Sequence, residues 1–370
     1  MSLARPVLRV VMTADAVGGV WSYALDLAAG LRAHGTEVLI AVAGPAPCTD
    51  QQSAAEQAGI ALVTLPGPLD WLDATPATLE RQAAALERIA RGWKADLIQL
   101  NSPILAAFGT FDRPVLGICH SDLATWWSAV RGDTPPADFR WRIDLTARGY
   151  RACDMLVAPT HAFAAATGDA YGIRPQVVLN GRTARRSLSV ARRPGSILAA
   201  GRLWDAGKGM AVLDAAAASM SAPVAAAGPV KGPGGDGVVL SHVQALGRLA
   251  GDDLAARMAE TDIFVSPALY EPFGLAVLES AQCGAALVLS GIEGHRELWM
   301  DAALFVPPGD AAALAEALDA LAADPAEARA LGQRAQARAA RYSADRMSAG
   351  MDAIQRRMLS AAAPRLAVGA

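Results

Sequence analysis

Pro267-Ala-Leu-Tyr-Glu-Pro-Phe-Gly-Leu-Ala-Val-Leu-Glu279 is the stretch on which the reading of this chain turns. It follows the β-rich run 263–265 and opens an apolar helix, with Pro272-Phe273-Gly274-Leu275 as the turn between them. A strand-to-helix turn of this kind aims backbone N–H groups and the positive end of a helix into one cavity, where phosphate is welcome. Glu271 belongs at the mouth of that cavity. Glu279 lies about a turn and a half into the helix, within reach of the same ligand. Glu-Pro before a helix is also ordinary capping chemistry, and most helical glutamates are solvated. For Glu279 that bland reading is strained by its apolar neighbours Leu275, Val277, Leu278, Ala281 and Cys283. A diphosphate flanked by two carboxylates that accept from hydroxyls describes a nucleotide sugar better than a bare nucleotide.

Working outward, short apolar runs alternate with Ala-rich helical segments. Strands are expected at 7–12, 37–43, 61–65, 96–100, 115–119, 155–158 and 176–179, with helices such as 21–34 and 77–93 between them. The pattern restarts with strands at 196–200, 224–227, 238–240, 263–265, 286–289 and 303–306, and helices from Met210, Asp252, Leu275 and Ala311. This alternation predicts an α/β protein of two doubly wound, Rossmann-like domains facing across a cleft, with ligands outside the carboxyl ends of the strands. The join at 181–195 carries Arg182, Arg185, Arg186, Arg192 and Arg193 and reads as a solvated linker, although such a run can also meet phosphate or anionic lipid. A last helix is expected from Ser343, with Met347, Met351, Ile354 and Met358 on one face and a frayed tail at 361–370.

Composition narrows the partners. The 370 residues are 53% hydrophobic with a net charge of only -3, which supplies two cores and gives no global attraction to nucleic acid. Cys48, Cys119, Cys153 and Cys283 are scattered and read as reduced core residues, neither a disulfide framework nor a zinc site. No long uncharged apolar run is present, and residues 1–11 lack the pattern of a signal peptide, so the expectation is a soluble cytoplasmic protein.

Gly201-Arg-Leu-Trp-Asp-Ala-Gly-Lys-Gly209 follows a predicted strand. Arg202 offers a rigid fork and Lys208 a movable point charge, together able to neutralise a leaving diphosphate without a metal. The spacing from Gly201 to Gly207 is one residue too long for a P-loop, and Gly209 stands where the magnesium-holding Ser or Thr belongs. Gly18-Gly19, between the first strand and the first helix, permits close backbone approach but does not complete a dinucleotide fingerprint. His120 emerges at the carboxyl end of the strand 115–119, where a cleft-facing residue belongs. His34, His161, His242 and His295 are less suggestive, His295 lying in a turn after the strand 286–289. There is no His/Cys ligand spacing, no Asp-x-Asp and no Gly-x-Ser-x-Gly, so neither a catalytic metal, a cofactor nor a serine nucleophile is expected. Trp126, Trp127, Arg131, Phe139, Arg140, Trp141 and Arg142 form an aromatic and basic cluster that either meets an acceptor or packs a helical hairpin.

In order along nearly the whole chain, Gly18-Gly19, His120, Asn180-Gly181, Gly201-Arg202-Leu203 with Lys208-Gly209, and Glu271-Pro272-Phe273-Gly274-Leu275 with Glu279 resemble the retaining glycosyltransferases of family 4, which share the GT-B fold. The resemblance implies a first domain of 1–181, completed by a crossing helix 343–363, and a donor domain of 182–342. It implies that Arg202 and Lys208 hold the donor diphosphate and that Glu271, with N–H groups around Phe273, Gly274 and Leu275, binds the sugar. Glu279 would take the ribose hydroxyls, Gly18 and Gly19 would lie by the phosphates, and His120 would lie near the reacting carbon. The implied reaction moves a sugar from a nucleoside-diphosphate sugar, UDP before GDP, to a hydroxyl of a saccharide, lipid-linked or small-molecule acceptor. Nucleic acid is not implied, and a peripheral membrane contact is left open. A sugar-nucleotide epimerase, a phosphorylase and a non-catalytic partner subunit of the same fold are the alternatives. Two departures from the family pattern are Asn180-Gly181-Arg182-Thr183 at the hinge and Glu293-Gly-His-Arg-Glu297 at a donor-sugar turn. Residues 226–237, rich in Gly and Pro, match loosely where the nucleobase is expected.

Overall fold

The structure, a computed structural model, describes residues 7–72, 74–109, 111–183 and 191–366. In chain order the first half runs β1 (Leu8–Asp15), α1 (Gly19–Ala33), β2 (Thr36–Ala43), α2 (Thr49–Gln57), β3 (Ala61–Leu65), α3 (Pro76–Gly92), β4 (Leu97–Leu100), β5 (Val115–Ile118), α4 (Leu123–Val130), α5 (Ala137–Ala152), β6 (Met155–Ala158), α6 (His161–Tyr171) and β7 (Gln176–Val177). The second half runs β8 (Arg193–Ala200), α7 (Met210–Ala217), β9 (Val224–Ala227), β10 (Gln244–Gly247), α8 (Gly251–Glu260), β11 (Thr261–Ser266), α9 (Leu275–Gln282), β12 (Ala286–Ser290), α10 (Glu293–Trp299), β13 (Leu304–Val306), α11 (Ala311–Ala323), α12 (Pro325–Ala339) and α13 (Ala344–Leu366). The described residues form two compact units. One comprises Met1–Thr125, Thr134–Gly181 and Ala344–Ala370, the other Trp126–Asp133 and Arg182–Ser343.

In the first unit seven parallel strands lie in the order β3-β2-β1-β4-β5-β6-β7. Strands buried on both faces need apolar residues at every position, and β1 shows how the pleat divides them. Val10 and Met12 point to one core with Leu27, Leu31 and Ile40, while Val11 points to another with Leu79, Leu86 and Ile98. The first core also takes Met347, Met351, Ile354 and Met358, so the spacing seen in the sequence seats α13 on the first unit. Each such side chain contributes about 1.5–3 kcal/mol of transfer free energy, offset by the entropy of ordering it. A buried amide pair, Gln355 Nε2 donating to Gln99 Oε1 at 2.9 Å, ties α13 to β4.

The second unit holds six parallel strands in the order β10-β9-β8-β11-β12-β13, over a core that includes Ile197, Leu213, Ile263, Val265, Val288 and Leu318. In both sheets the order reverses next to the first strand of the unit, between β1 and β4 and between β8 and β11. The carboxyl ends beside such a reversal are where open α/β sheets bind ligands.

The strand expected at 238–240 is not formed; the sheet edge is taken by β10 instead. The Asp214 carboxylate accepts from the N–H groups of Ser241, His242 and Val243 at 2.9, 2.8 and 3.0 Å, and Val238 N–H donates to Val230 O. These bonds hold 238–243 as a loop whose Val238 and Leu240 reach the core while Val239 faces solvent. Their alternation is that of a strand, yet a carboxylate and a loop carbonyl supply the partners a ladder would. The segment expected as a turn around His295 is the short helix α10. Of the basic join, Arg192 donates to Thr261 O and Cys283 O and Arg193 pairs with Glu260, so these two are anchored to the second unit. Arg185 and Arg186 lie outside the described residues, as does the end of the tail beyond 366. Among the described residues no helix is long and apolar enough to cross a membrane.

Candidate functional site

In the second unit the two loops flanking the reversal carry the charged residues singled out above. Gly201–Gly209 leaves the carboxyl end of β8, and Pro267–Gly274 leaves that of β11. Two glycines shape the first loop. Gly209 sits at φ 68° with no room for a side chain, because a Cβ there would be 2.1 Å from Pro267 O. A Cβ at Gly228 would meet Gly201 O, which brings β9's exit against the start of the same loop. The Asp205 carboxylate organises the loop, accepting from Gly207 N at 2.9 Å, from Arg202 at 3.1 Å and from Trp126 Nε1 at 3.0 Å. It is the residue whose role was missed, although it stands inside the quoted motif.

Lys208 Nζ lies 2.6 Å from Glu271 Oε2, with the two side chains 20% and 15% exposed. Burial, the largest single influence, raises the Glu271 carboxyl, but the charge and hydrogen bond of Lys208 together with the charges of His295 and Arg202 outweigh it. The net result is below the ordinary glutamate value. The sign follows by linkage. A carboxyl lowered on folding stabilises the folded chain above its unfolded pKa, and that contribution is lost as pH falls through the lowered value.

Gly274, at φ 87°, starts α9 with no side-chain cap, which leaves the first N–H groups of α9 without a side-chain acceptor. Phe273 is buried edge-on to Tyr342 at 6.0 Å between centroids, and Tyr342 in turn packs edge-on against Trp299. The Phe273 side chain is buried, which leaves only its backbone to meet a ligand. Leu275 and Ala276, which open α9, are half-buried beside it. Glu279 lies farther along α9 with Arg182 Nε 2.8 Å from its Oε1. The hinge departure Arg182 therefore supplies a cation to a carboxylate read as a ribose acceptor.

In the first unit Gly18, at φ −146°, precedes α1, and a Cβ there would meet nothing within 4 Å. Gly19 is the first residue of α1. His120 follows β5 and lies 3.1 Å through Nε2 from Asn101 Oδ1. Asn101 Nδ2 donates to Thr13 O at 2.7 Å, so its Oδ1 faces the imidazole and Nε2 must carry the proton. Burial lowers His120 to about 4, and the ring is neutral near pH 7 with a lone pair on Nδ1. The ring of Tyr23 packs edge-on at 4.5 Å and fixes its plane. A cavity of ≈ 30 Å³ opens beside β1 and β4, where Asp15, Asp70 and Asn101 line it together with apolar Leu65, Leu69 and Leu105.

The aromatic and basic cluster divides. Trp126, Trp127 and Arg131 fall in the segment grouped with the second unit, whereas Phe139, Arg140, Trp141 and Arg142 belong to α5 of the first. Arg142 donates to Asp70 O and Leu72 O, which anchors the loop after β3.

Two family models match this chain, Glycosyltransferase Family 4 over residues 17–186 and Glycosyl transferases group 1 over 239–338. The chain belongs to the family-4 glycosyltransferases. It is 26% identical over 340 residues to a phosphatidyl-myo-inositol mannosyltransferase of Mycobacterium leprae, covering 83% of this chain and 84% of that one. It is 26% identical to a glycogen synthase of Mycobacterium tuberculosis, covering 89% and 87%. Among solved structures, a sucrose-phosphate synthase from Thermosynechococcus elongatus superposes with a TM-score of 0.76 at 20% identity, over 96% of this chain and 100% of that one. HepE of Anabaena, solved with UDP-glucose, superposes at 0.72 and 18% identity over 95% and 100%. The fold is GT-B, and the protein is a glycosyltransferase.

Proposed function

We propose that this enzyme takes its sugar from a nucleoside-diphosphate sugar, UDP before GDP. It passes the sugar, with retained anomeric configuration and without a catalytic metal, to a hydroxyl of a saccharide, lipid-linked or small-molecule acceptor. The observation that carries this reading is the Lys208–Glu271 contact of 2.6 Å, set with Arg202 on loops at the carboxyl ends beside the β8–β11 reversal. Arg202 and Lys208 supply the positive charge that a leaving diphosphate needs, in place of a divalent ion. Glu271 accepts from sugar hydroxyls and Glu279 from the ribose, while the N–H groups at the start of α9 meet phosphate. In the first unit, Gly18 and Gly19 offer bare backbone to phosphate, and His120 offers a neutral imidazole to a sugar hydroxyl.

A carboxylate beside a cation and engaged by sugar hydroxyls is a weak nucleophile, which argues against a covalent sugar–Glu271 intermediate. The acceptor oxygen then bonds to the anomeric carbon on the face the diphosphate leaves, and a phosphate oxygen takes the acceptor's proton. The product keeps the donor's anomeric configuration in NMR spectra, and a chelator leaves the rate unchanged. An inverted product would sink this mechanism.

The donor site is tested by thermal shift with UDP, GDP and ADP. UDP goes first because a neighbour of the same fold was solved with UDP-glucose. At a hundredfold over its dissociation constant the preferred diphosphate adds about 2.7 kcal/mol of stability. An equal, negligible response to all of them overturns the reading.

A further inference from the structure

His295, on α10, is a fully buried histidine to which the reading above gives no task. Its Nδ1 lies 3.0 Å from Ser290 O, and because a carbonyl only accepts, Nδ1 carries the proton. Ser290 Oγ, 3.3 Å from the same nitrogen, donates to Ala268 O and so stays aligned with that arrangement. The ring is locked, and its lone pair is on Nε2. That atom is buried and makes no hydrogen bond to any described residue. An unpaired buried lone pair is costly, and one kept beside a charged cluster calls for a reason.

The cluster is Lys208 and Glu271. The first turn of α10 packs on the backbone of Glu271, since a Cβ at Gly294 would lie 3.0 Å from Glu271 O. Glu271 and His295 act on each other electrostatically, and Lys208 acts on both, holding Glu271 ionised and opposing a charge on His295. The other charges on α10 are engaged elsewhere. Arg296 donates to Gly291 O and covers the ring of Phe305, Glu297 acts on Tyr342, and Glu293 is exposed.

Resting on the donor-site reading, we infer that His295 is a positioning residue for Glu271 that takes up a proton on Nε2 when a donor diphosphate claims Lys208. The diphosphate draws the ammonium from a carboxylate that is largely out of water, and a carboxylate left so must find another cation or protonate. A proton delivered from buffer to Nε2 makes His295 that cation. Glu271 then stays ionised and free to accept from the sugar while Lys208 serves the phosphates. Burial, the largest influence, holds His295 below its ordinary value against the pull of Glu271 and of the Ser290 carbonyl, and the Lys208 ammonium adds a smaller push in the same direction as burial. Removing the opposing charge raises it. Binding therefore takes up a proton between the two values, and affinity falls as pH rises through the raised one, by up to about tenfold per unit.

The test is titration calorimetry of the full chain with UDP, GDP and ADP in two buffers of different ionisation enthalpy. The parent is expected to absorb up to one proton per diphosphate bound. His295→Asn, whose amide can still donate to Ser290 O, is expected to bind with none and to lose the pH dependence of affinity. A structural role alone would leave the proton count unmoved. As a check that needs no variant, ¹⁵N NMR of the histidine rings should show one of the five becoming an imidazolium on saturation. Buffer-independent heats in the parent, or unchanged uptake in His295→Asn, overturn the inference. Failure of the parent to bind any diphosphate overturns the donor site itself.

Discussion

Lys208→Ala is expected to lower the kcat of sugar transfer by about 10²–10³-fold, the loss typical of removing one preorganised donor from a developing anion. Lys208 is the cation beside Glu271 at 2.6 Å, and it sits on the loop that leaves β8 at the sheet reversal. Its loss acts twice. The leaving diphosphate loses a counter-charge, and Glu271 loses its 2.6 Å partner, so its carboxyl rises and is left to the hold of His295 and Arg202. Because breaking a largely buried pair also strains the fold, the control is Lys208→Ala combined with Glu271→Gln, which leaves no unpaired charge. The combined variant should unfold close to the parent in urea while remaining inactive. Steady-state kinetics on the purified variants, with the urea midpoint alongside, separates the two effects. Full turnover in Lys208→Ala would remove this residue from the donor site.

Gly209→Ala is expected to have the next largest effect. The residue stands at φ 68°, where an added Cβ costs about 1–2 kcal/mol in conformation alone. The same Cβ would be 2.1 Å from Pro267 O, a backbone atom that cannot swing aside. The β8 and β11 loops must therefore separate, and with them Lys208 and Glu271. The second unit should melt earlier in a domain-resolved urea titration, and the thermal shift with diphosphate should vanish. Gly18→Ala makes the contrast. Its φ is ordinary and its Cβ meets nothing, so stability should stay within about 0.5 kcal/mol of the parent. A loss of donor binding in Gly18→Ala would then report a close ligand, whereas parent-like behaviour in Gly209→Ala would contradict the packing described.

Much of the fold was legible because hydrophobic period and glycine placement are local signals. The strand at Ala61–Leu65, the four apolar residues that seat α13 and the restart of the βαβ pattern were all readable from residue type and spacing. The run at 238–240 misled because Val-Val-Leu carries a strand's alternation, while Asp214, more than twenty positions earlier, supplies the bonds that make it a loop. At the candidate site the motif residues were visible one by one. Their state was not: the lowered carboxyl of Glu271, the neutral ring of His120 and the pairing of Arg182 with Glu279 each depend on a group distant in the chain.

The sequence by itself determined the alternation of strands and helices, the two parallel sheets and the identity of the residues that line the loops after β8 and β11. Those follow from side-chain chemistry and its period along the chain. Only the tertiary structure decided that Asp205 organises the Arg202–Lys208 loop, that Phe273 turns into the core and that His295 is buried with one nitrogen tied and the other unpartnered. The reason is physical. Burial, hydrogen-bond direction and charge pairing are set by neighbours that the fold brings from far along the chain, and no local pattern records which neighbours those will be.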